Sequence, residues 1–159
     1  MDKIKLIQMI REQLESDLLK AREAARATFE AATHEESKPE NEYDTRGLEA
    51  SYLAGAQAKR IAEIEELLTI YKFVETKNFS LSDSISATAV VEVDNDGKHS
   101  WLFLMSKGGG LTVHFGDKNI QVVTPNSPLG EALLGLKVGD FAVVESGAGT
   151  REYEVLSLV

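Results

Sequence analysis

Asn78-Phe79-Ser80-Leu81-Ser82-Asp83-Ser84 is a short polar stretch suited to a linker, and the composition of the chain changes across it. On its N-terminal side, residues 1–78 hold Pro39 and only two glycines, Gly47 and Gly55. They are dense in Ala, Glu, Leu, Lys and Arg, which favour helix because they lose little side-chain freedom there. On its C-terminal side, residues 79–159 hold the other ten glycines and both remaining prolines among many Val, Leu, Phe and Thr. That mixture reads as short strands and turns. The expectation is an α+β chain with a helical unit over 1–78 and a small sheet unit over 79–159.

The helical half breaks once, between Thr33 and Asn41. Before the break, Ile7, Ile10, Leu14, Leu18, Ala21, Ala25, Thr28 and Ala32 recur at spacings of three and four; after it, Leu53, Gln57, Ile61, Ile64, Leu68 and Tyr71 do the same. These are coiled-coil seams. Pro39 cannot sit inside a helix and biases Lys38 away from the helical region. An antiparallel helical hairpin follows, with arms of roughly 45 Å at about 1.5 Å per residue. A bundle with both arms folded onto the second half is the rival arrangement. Gly55 and Gln57 weaken the second arm locally, a glycine costing about 1 kcal/mol against alanine.

In the second half, Ile85–Val93 reads as a strand, Asn95-Asp96-Gly97-Lys98 as a hairpin turn and Ser100–Met105 as the returning strand. Ile120–Thr124 is a third strand, and Phe141–Glu145 and Arg151–Leu158 close the sheet. Between them Ser127–Gly135 reads as a short helix, with Ser127 as cap, Pro128 at its first position and Gly135 as its stop. The expectation is a small antiparallel sheet with one short helix.

Composition removes several functions. The 159 residues carry 17 basic and 26 acidic side chains, a net charge of −9, and no cysteine. Disulfides, thiol nucleophiles and Cys-ligated metals are excluded, and bulk charge argues against strong binding of free nucleic acid. No apolar run reaches the roughly 18 residues of a membrane span, and no signal peptide is legible, so a soluble cytoplasmic protein is expected. The negative charge is concentrated: residues 35–44 carry Glu35, Glu36, Glu40, Glu42 and Asp44 against Lys38, net −4, while residues 1–78 as a whole are also net −4. Carboxylates gathered at a hairpin tip are hard oxygen ligands suited to Mg²⁺. Equally, loops between helices are commonly polar, and acids favour the start of a helix.

Asn126-Ser127-Pro128-Leu129-Gly130-Glu131-Ala132-Leu133-Leu134-Gly135-Leu136-Lys137-Val138-Gly139-Asp140 resembles the Ser-Pro-Leu-Gly-x-Ala-Leu-Leu-Gly-x-x-Val-Gly-Asp signature of the bacterial Gre transcript-cleavage factors. Glu40-Asn41-Glu42-Tyr43 resembles the Glu-Asn-x-Glu-Tyr motif at the tip of the Gre coiled coil. The resemblance implies that residues 79–159 form an FKBP-like domain that docks on bacterial RNA polymerase at the mouth of the secondary channel. It puts Asn126, Ser127, Pro128, Leu129 and Gly130 on part of the polymerase-facing surface. Leu129, Leu133 and Leu134 also read as core, so the leucines are expected to turn inward and Asn126, Ser127, Pro128 and Gly130 outward. It implies that the coiled coil, with its acidic tip near 33–44, enters the channel and meets the backtracked RNA 3′ end. Tip carboxylates then help hold a Mg²⁺ of the polymerase, which hydrolyses its own RNA. The factor would have no catalytic residue, no stably bound metal and no cofactor of its own, sharing Mg²⁺ with the polymerase where cleavage occurs.

The tip departs from the motif. Aligning Glu40 and Asn41 puts Ser37 where the family has an essential Asp, and one residue is missing before Glu42-Tyr43. Glu40 is the best placed carboxylate, with Glu36, Glu42 and Asp44 as substitutes. Mispositioning by about 1 Å can cost on the order of 10²-fold. Two readings follow: a Gre-like elongation factor that stimulates cleavage, or a secondary-channel regulator or inhibitor that does not. A third, peptidyl-prolyl isomerase activity, is suggested only by the expected fold; Trp101, Phe103, Phe115 and Phe141 are more simply explained as core. His34, His99 and His114 lack metal-ligand spacing, and Lys107-Gly108-Gly109-Gly110 lacks the rest of a P-loop and reads as a strand connection. Arg11, Lys20, Arg22, Arg26 and Arg46 on the hairpin fit a solvated helix face or, by the resemblance, contacts near the RNA 3′ end.

Overall fold

A computed structural model of the chain describes residues 1–34, 40–41 and 45–159. Two long helices come first, α1 (Lys3–Thr33) and α2 (Arg46–Phe73). The sheet strands are β1 (Val90–Asn95), β2 (Lys98–Leu104), β3 (Thr112–Phe115), β4 (Lys118–Val123), β5 (Phe141–Ser146) and β6 (Gly149–Leu158), with α3 (Pro128–Leu133) between β4 and β5. Residues Met1–Gln8 pack with Val74–Val159 as one compact unit, and Met9–Phe73 form a second.

The helices start where side chains can satisfy their first amides. Asp2 Oδ1 accepts from the Lys5 N–H (3.0 Å) at the head of α1. At the head of α2, Thr45 O accepts from the Glu49 N–H (3.0 Å), and the Thr45 hydroxyl donates to Glu49 Oε1 (3.3 Å). The two arms run antiparallel: Arg22 Nη2 meets Glu65 Oε1 at 2.6 Å, while Ala27–Ala32 lie opposite Gly47–Leu53. The buried seam residues of this unit are Ile10, Leu14, Leu18, Ile64 and Tyr71.

The six strands form one sheet in the order β3-β4-β2-β1-β6-β5. It is mixed, not purely antiparallel as the sequence reading held: β2 and β4 pair in parallel, Trp101 opposite Ile120 and Phe103 opposite Val122. The reason is the Lys107–Gly110 connection. Gly108 and Gly110 both adopt φ of +91°, which only glycine takes without strain. The chain thereby crosses past β4's position before β3 turns back, antiparallel, into β4. The β1–β2 turn is the expected one, with Asp96 (φ +53°) and Gly97 (φ +81°) in the left-handed region.

The first strand begins at Val90 and not at Ile85. Residues 86–89 form a turn, closed by Ala89 N–H to Ser86 O (3.1 Å), with Thr88 at φ +69°. A β-branched residue there is unusual. Its amide donates to Leu104 O (2.8 Å) and its hydroxyl accepts from the Lys77 N–H (3.0 Å), which hold it in place.

Both sheet faces are covered. One carries Val91, Val93, Leu102, Leu104, Val123, Val155 and Leu158, packed with Leu133 of α3. The other carries Val90, Phe103, Ile120 and Val122, all at most 1% exposed. Lys3 is buried in this unit; its ammonium donates to Lys77 O (2.6 Å) and lies 4.5 Å from the Phe79 ring centre. Burial disfavours the charged form and lowers its pKa from 10.5 to about 8.

Candidate functional site

The stretch after β4 is fixed residue by residue. Ser127 sits in extended conformation (φ −83°, ψ 148°) at the head of α3. Its hydroxyl donates to Thr124 O (2.7 Å) and accepts from the Gly130 N–H (3.1 Å), so one side chain closes the turn and caps the helix. Pro128 takes the first helical position, where its missing N–H costs nothing. Gly130 is required by close approach: a Cβ there would collide with the Thr124 carbonyl and crowd Ser127 Oγ. Leu133 is fully buried in the core. Gly135 ends the helix at φ +82°, and its N–H donates to Ile85 O (2.9 Å). Further on, Gly139 (φ +91°) donates to Val155 O (2.8 Å), and Asp140 Oδ2 accepts from the Lys137 N–H (2.8 Å).

Two side-chain placements correct the sequence reading. Gly130, expected to face outward, is buried beneath Thr124. Leu134, expected inward, is 40% exposed, because the helix ends there, while Leu133 is core and the half-buried Leu129 packs against it. Asn126 and Pro128 are exposed and Ser127 is half-buried. A third correction concerns the aromatics. Phe103 is core, Trp101 and Phe115 are half-buried, and Phe141 is 55% exposed on the β5 edge strand.

Sequence reasoning missed what lies beside the helix. An open groove of about 440 Å³ runs between α3 and β5, lined by Pro128, Glu131, Ala132, Val143, Val144 and Glu145. Val143 and Phe141 alternate outward from β5, and with Pro128 and Leu134 they leave apolar surface in the open. The alternation of Phe141-Ala142-Val143 was the available signal, but it does not say which of its two faces looks inward.

Of the acidic tip, Glu36, Glu42 and Asp44 fall outside the described residues, as do Ser37 and Pro39. Glu40 is exposed, with Oε1 3.7 Å from Arg46 Nη2. Both side chains are at least half exposed, so the pair is weak. Three other hairpin cations meet carboxylates of the hairpin: Arg11 meets Glu15 (3.9 Å), Arg22 meets Glu65 (2.6 Å) and Arg26 meets Glu30 (2.8 Å). Among the described residues no group of three or more His, Asp or Glu is arranged to hold a metal ion, and no helix is long and apolar enough to cross a membrane. His99 Nδ1 lies 3.0 Å from Glu92 Oε1 on the β1–β2 hairpin, and this hydrogen bond raises its pKa.

The sheet unit with its capped α3 turn is the part of the chain that a known family matches. The family described as "Transcription elongation factor, GreA/GreB, C-term" matches residues 80–158. A transcription elongation factor GreA from Xanthomonas axonopodis pv. citri is 29% identical over 157 residues, 95% of this chain and 91% of that protein. Its counterpart from Acidiphilium cryptum is 29% identical over 133 residues, 84% and 79% of the two chains. Among solved structures, GreA factor homolog 1 of Thermus thermophilus is 21% identical, covers 94% of each chain and superposes with a TM-score of 0.39. The chain belongs to the GreA/GreB family of transcription factors. Within it, identities below a third make it a divergent member.

Proposed function

We propose that this chain regulates transcription elongation by binding bacterial RNA polymerase at the secondary channel, as an accessory factor without catalysis of its own, and that it does not stimulate transcript cleavage. The observation that carries the binding half is the 126–140 stretch. Its internal positions are consumed by caps, close approach and core packing, which leaves Asn126, Pro128 and Leu134 exposed beside the α3–β5 groove. Apolar surface held on a rigid frame suits a protein partner better than solvent. In this reading residues 79–159 are the FKBP-like polymerase-binding domain, with Asn126, Ser127, Pro128, Leu129 and Gly130 forming its contact segment. Ser127 and Gly130 act there by setting the backbone, and the exposed residues make the contacts. Residues 1–78 form the channel-entering hairpin.

The second half rests on the tip. Ser37 stands where the family motif carries its Asp, and the spacing to Glu42 is one residue short. Glu40, the carboxylate that does align, is partly engaged by Arg46. The remaining reading, cleavage of backtracked RNA through Glu40 with Glu36, Glu42 or Asp44 on a Mg²⁺ shared with the polymerase, is supported by the local charge of −4 over residues 35–44.

Gel filtration with bacterial core polymerase tests the binding half. The chain co-elutes at micromolar concentration, and Pro128→Glu or Leu134→Asp, both surface changes, abolishes co-elution. A wild-type chain that elutes alone overturns the assignment.

A further inference from the structure

The helical unit is packed unevenly along its length. Beyond Leu18 on α1 and before Ile64 on α2, no described residue of that unit is buried. The seam there offers Ala21, Ala25, Thr28 and Ala32 against Ala50 and Leu53, and none of the six is buried. An open groove of about 440 Å³ remains, lined chiefly by Ala27, Ala31, Ala32, Gly47 and Ala50. Leu53, a seam residue by spacing, is 51% exposed, and Phe29 and Tyr52 are 67% and 73% exposed. Gln57 sits in the seam with its Oε1 buried and unbonded. Thr28 and Thr33 turn their hydroxyls back onto Ala24 O (3.0 Å) and Phe29 O (2.9 Å), which slightly weakens a helix.

Helical stability in proteins comes mostly from packing an apolar face, and an isolated helix shorter than about 12–15 residues is marginal in water. Each arm beyond the packed zone is about that length. We propose that the distal part of the hairpin, residues 20–33 and 46–60, opens locally as one unit while the proximal part, residues 10–18 and 64–72, stays closed. The boundary falls at the Arg22–Glu65 ion pair, whose side chains are 57% and 48% exposed, so the pair adds little to hold the arms together. A partner that binds only the closed end draws on a fractional population, and its apparent affinity falls by that fraction. The inference concerns the free chain and stands whether or not polymerase is the partner.

Amide hydrogen exchange on the full chain, read by mass spectrometry at neutral pH, tests it. After correction for intrinsic rates, peptides from 22–32 and 47–60 exchange at least about tenfold faster than peptides from 10–18 and 64–72, as expected for a locally opening segment. Equal protection along the arms overturns the proposal. Gly55→Ala then asks whether the two distal arms move together. An added Cβ at residue 55 meets nothing within 4 Å, so the change acts through helix preference alone. It slows exchange about fivefold in 47–60 and by a similar factor in 22–32 across the seam, with 10–18 and 64–72 unchanged. Slowing confined to α2, or no slowing in either arm, contradicts opening as a unit.

Discussion

The 126–140 stretch and the distal hairpin are both short, exposed over much of their surface and rich in small residues, yet they are constrained very differently. In the first, Gly130 is present because a backbone carbonyl leaves no room for a Cβ. In the second, Gly55 has open space around it. Ser127 makes two hydrogen bonds that fix a turn and a helix start, whereas Thr28 only bonds back within its own helix. A rigid frame that presents a few exposed groups is what recognition of a fixed partner surface needs. A loosely packed helical end can adjust to what it meets. Small residues alone do not distinguish the two cases; what surrounds them does.

One substitution made in both places shows the contrast at its largest. Gly130→Ala lowers the stability of the sheet unit by about 3 kcal/mol, the upper range for forcing atoms into a packed site, and denaturant titration reads it. Gly55→Ala raises stability by at most about 1 kcal/mol. If Gly130→Ala proved neutral, the tight account of the 126–140 stretch would be wrong.

Next in size is an effect of Lys3. Its folded pKa of about 8 lies below the ordinary 10.5, so the unfolded chain holds more protons between those values. Stability therefore rises with pH across that window and is lowest, for this group, below pH 8. The two values set an upper bound of about 3 kcal/mol on the gain from pH 7 to pH 11, and residual solvent contact of the ammonium brings it nearer to about 2 kcal/mol. Lys3→Met removes this pH-dependent component, as paired urea titrations at the two pH values show. Ser127→Ala is smaller, about 1 kcal/mol for a lost helix cap. Smallest is Arg22→Ala in the hairpin, at most about 0.5 kcal/mol, because the Arg22–Glu65 pair is half exposed.

The same contrast explains what could be read from the sequence. The two long helices were legible because a spacing of three and four repeats along each arm. The α3 turn was legible because Ser127, Pro128 and Gly135 are local signals with local causes. The parallel pairing of β2 with β4 was not, since it depends on where the glycine connection carries the chain and not on either strand's own pattern. The late start of β1 was hidden because Thr88, a residue that favours strands, is held at positive φ by Lys77 and Leu104. Phe141 looked like core because alternation gives two faces without saying which is inside. The groove beside Pro128 was invisible for the same reason: it joins α3 to a strand whose outward face only the assembled sheet defines. At the tip the sequence gives charge and a departure from the motif, while the geometry that decides metal contact depends on residues 35–39 and 42–44, outside those described.

The most direct test of the functional account is made on a backtracked elongation complex of bacterial RNA polymerase carrying 3′-labelled RNA. The chain is added with Mg²⁺ at a concentration where it co-elutes with polymerase, and the release of short labelled fragments is followed over time. The account predicts no release above the polymerase's own rate. Fragment release that is stimulated by the wild-type chain and lost in Glu40→Ala would contradict it, and would show that the altered tip still completes the cleavage site.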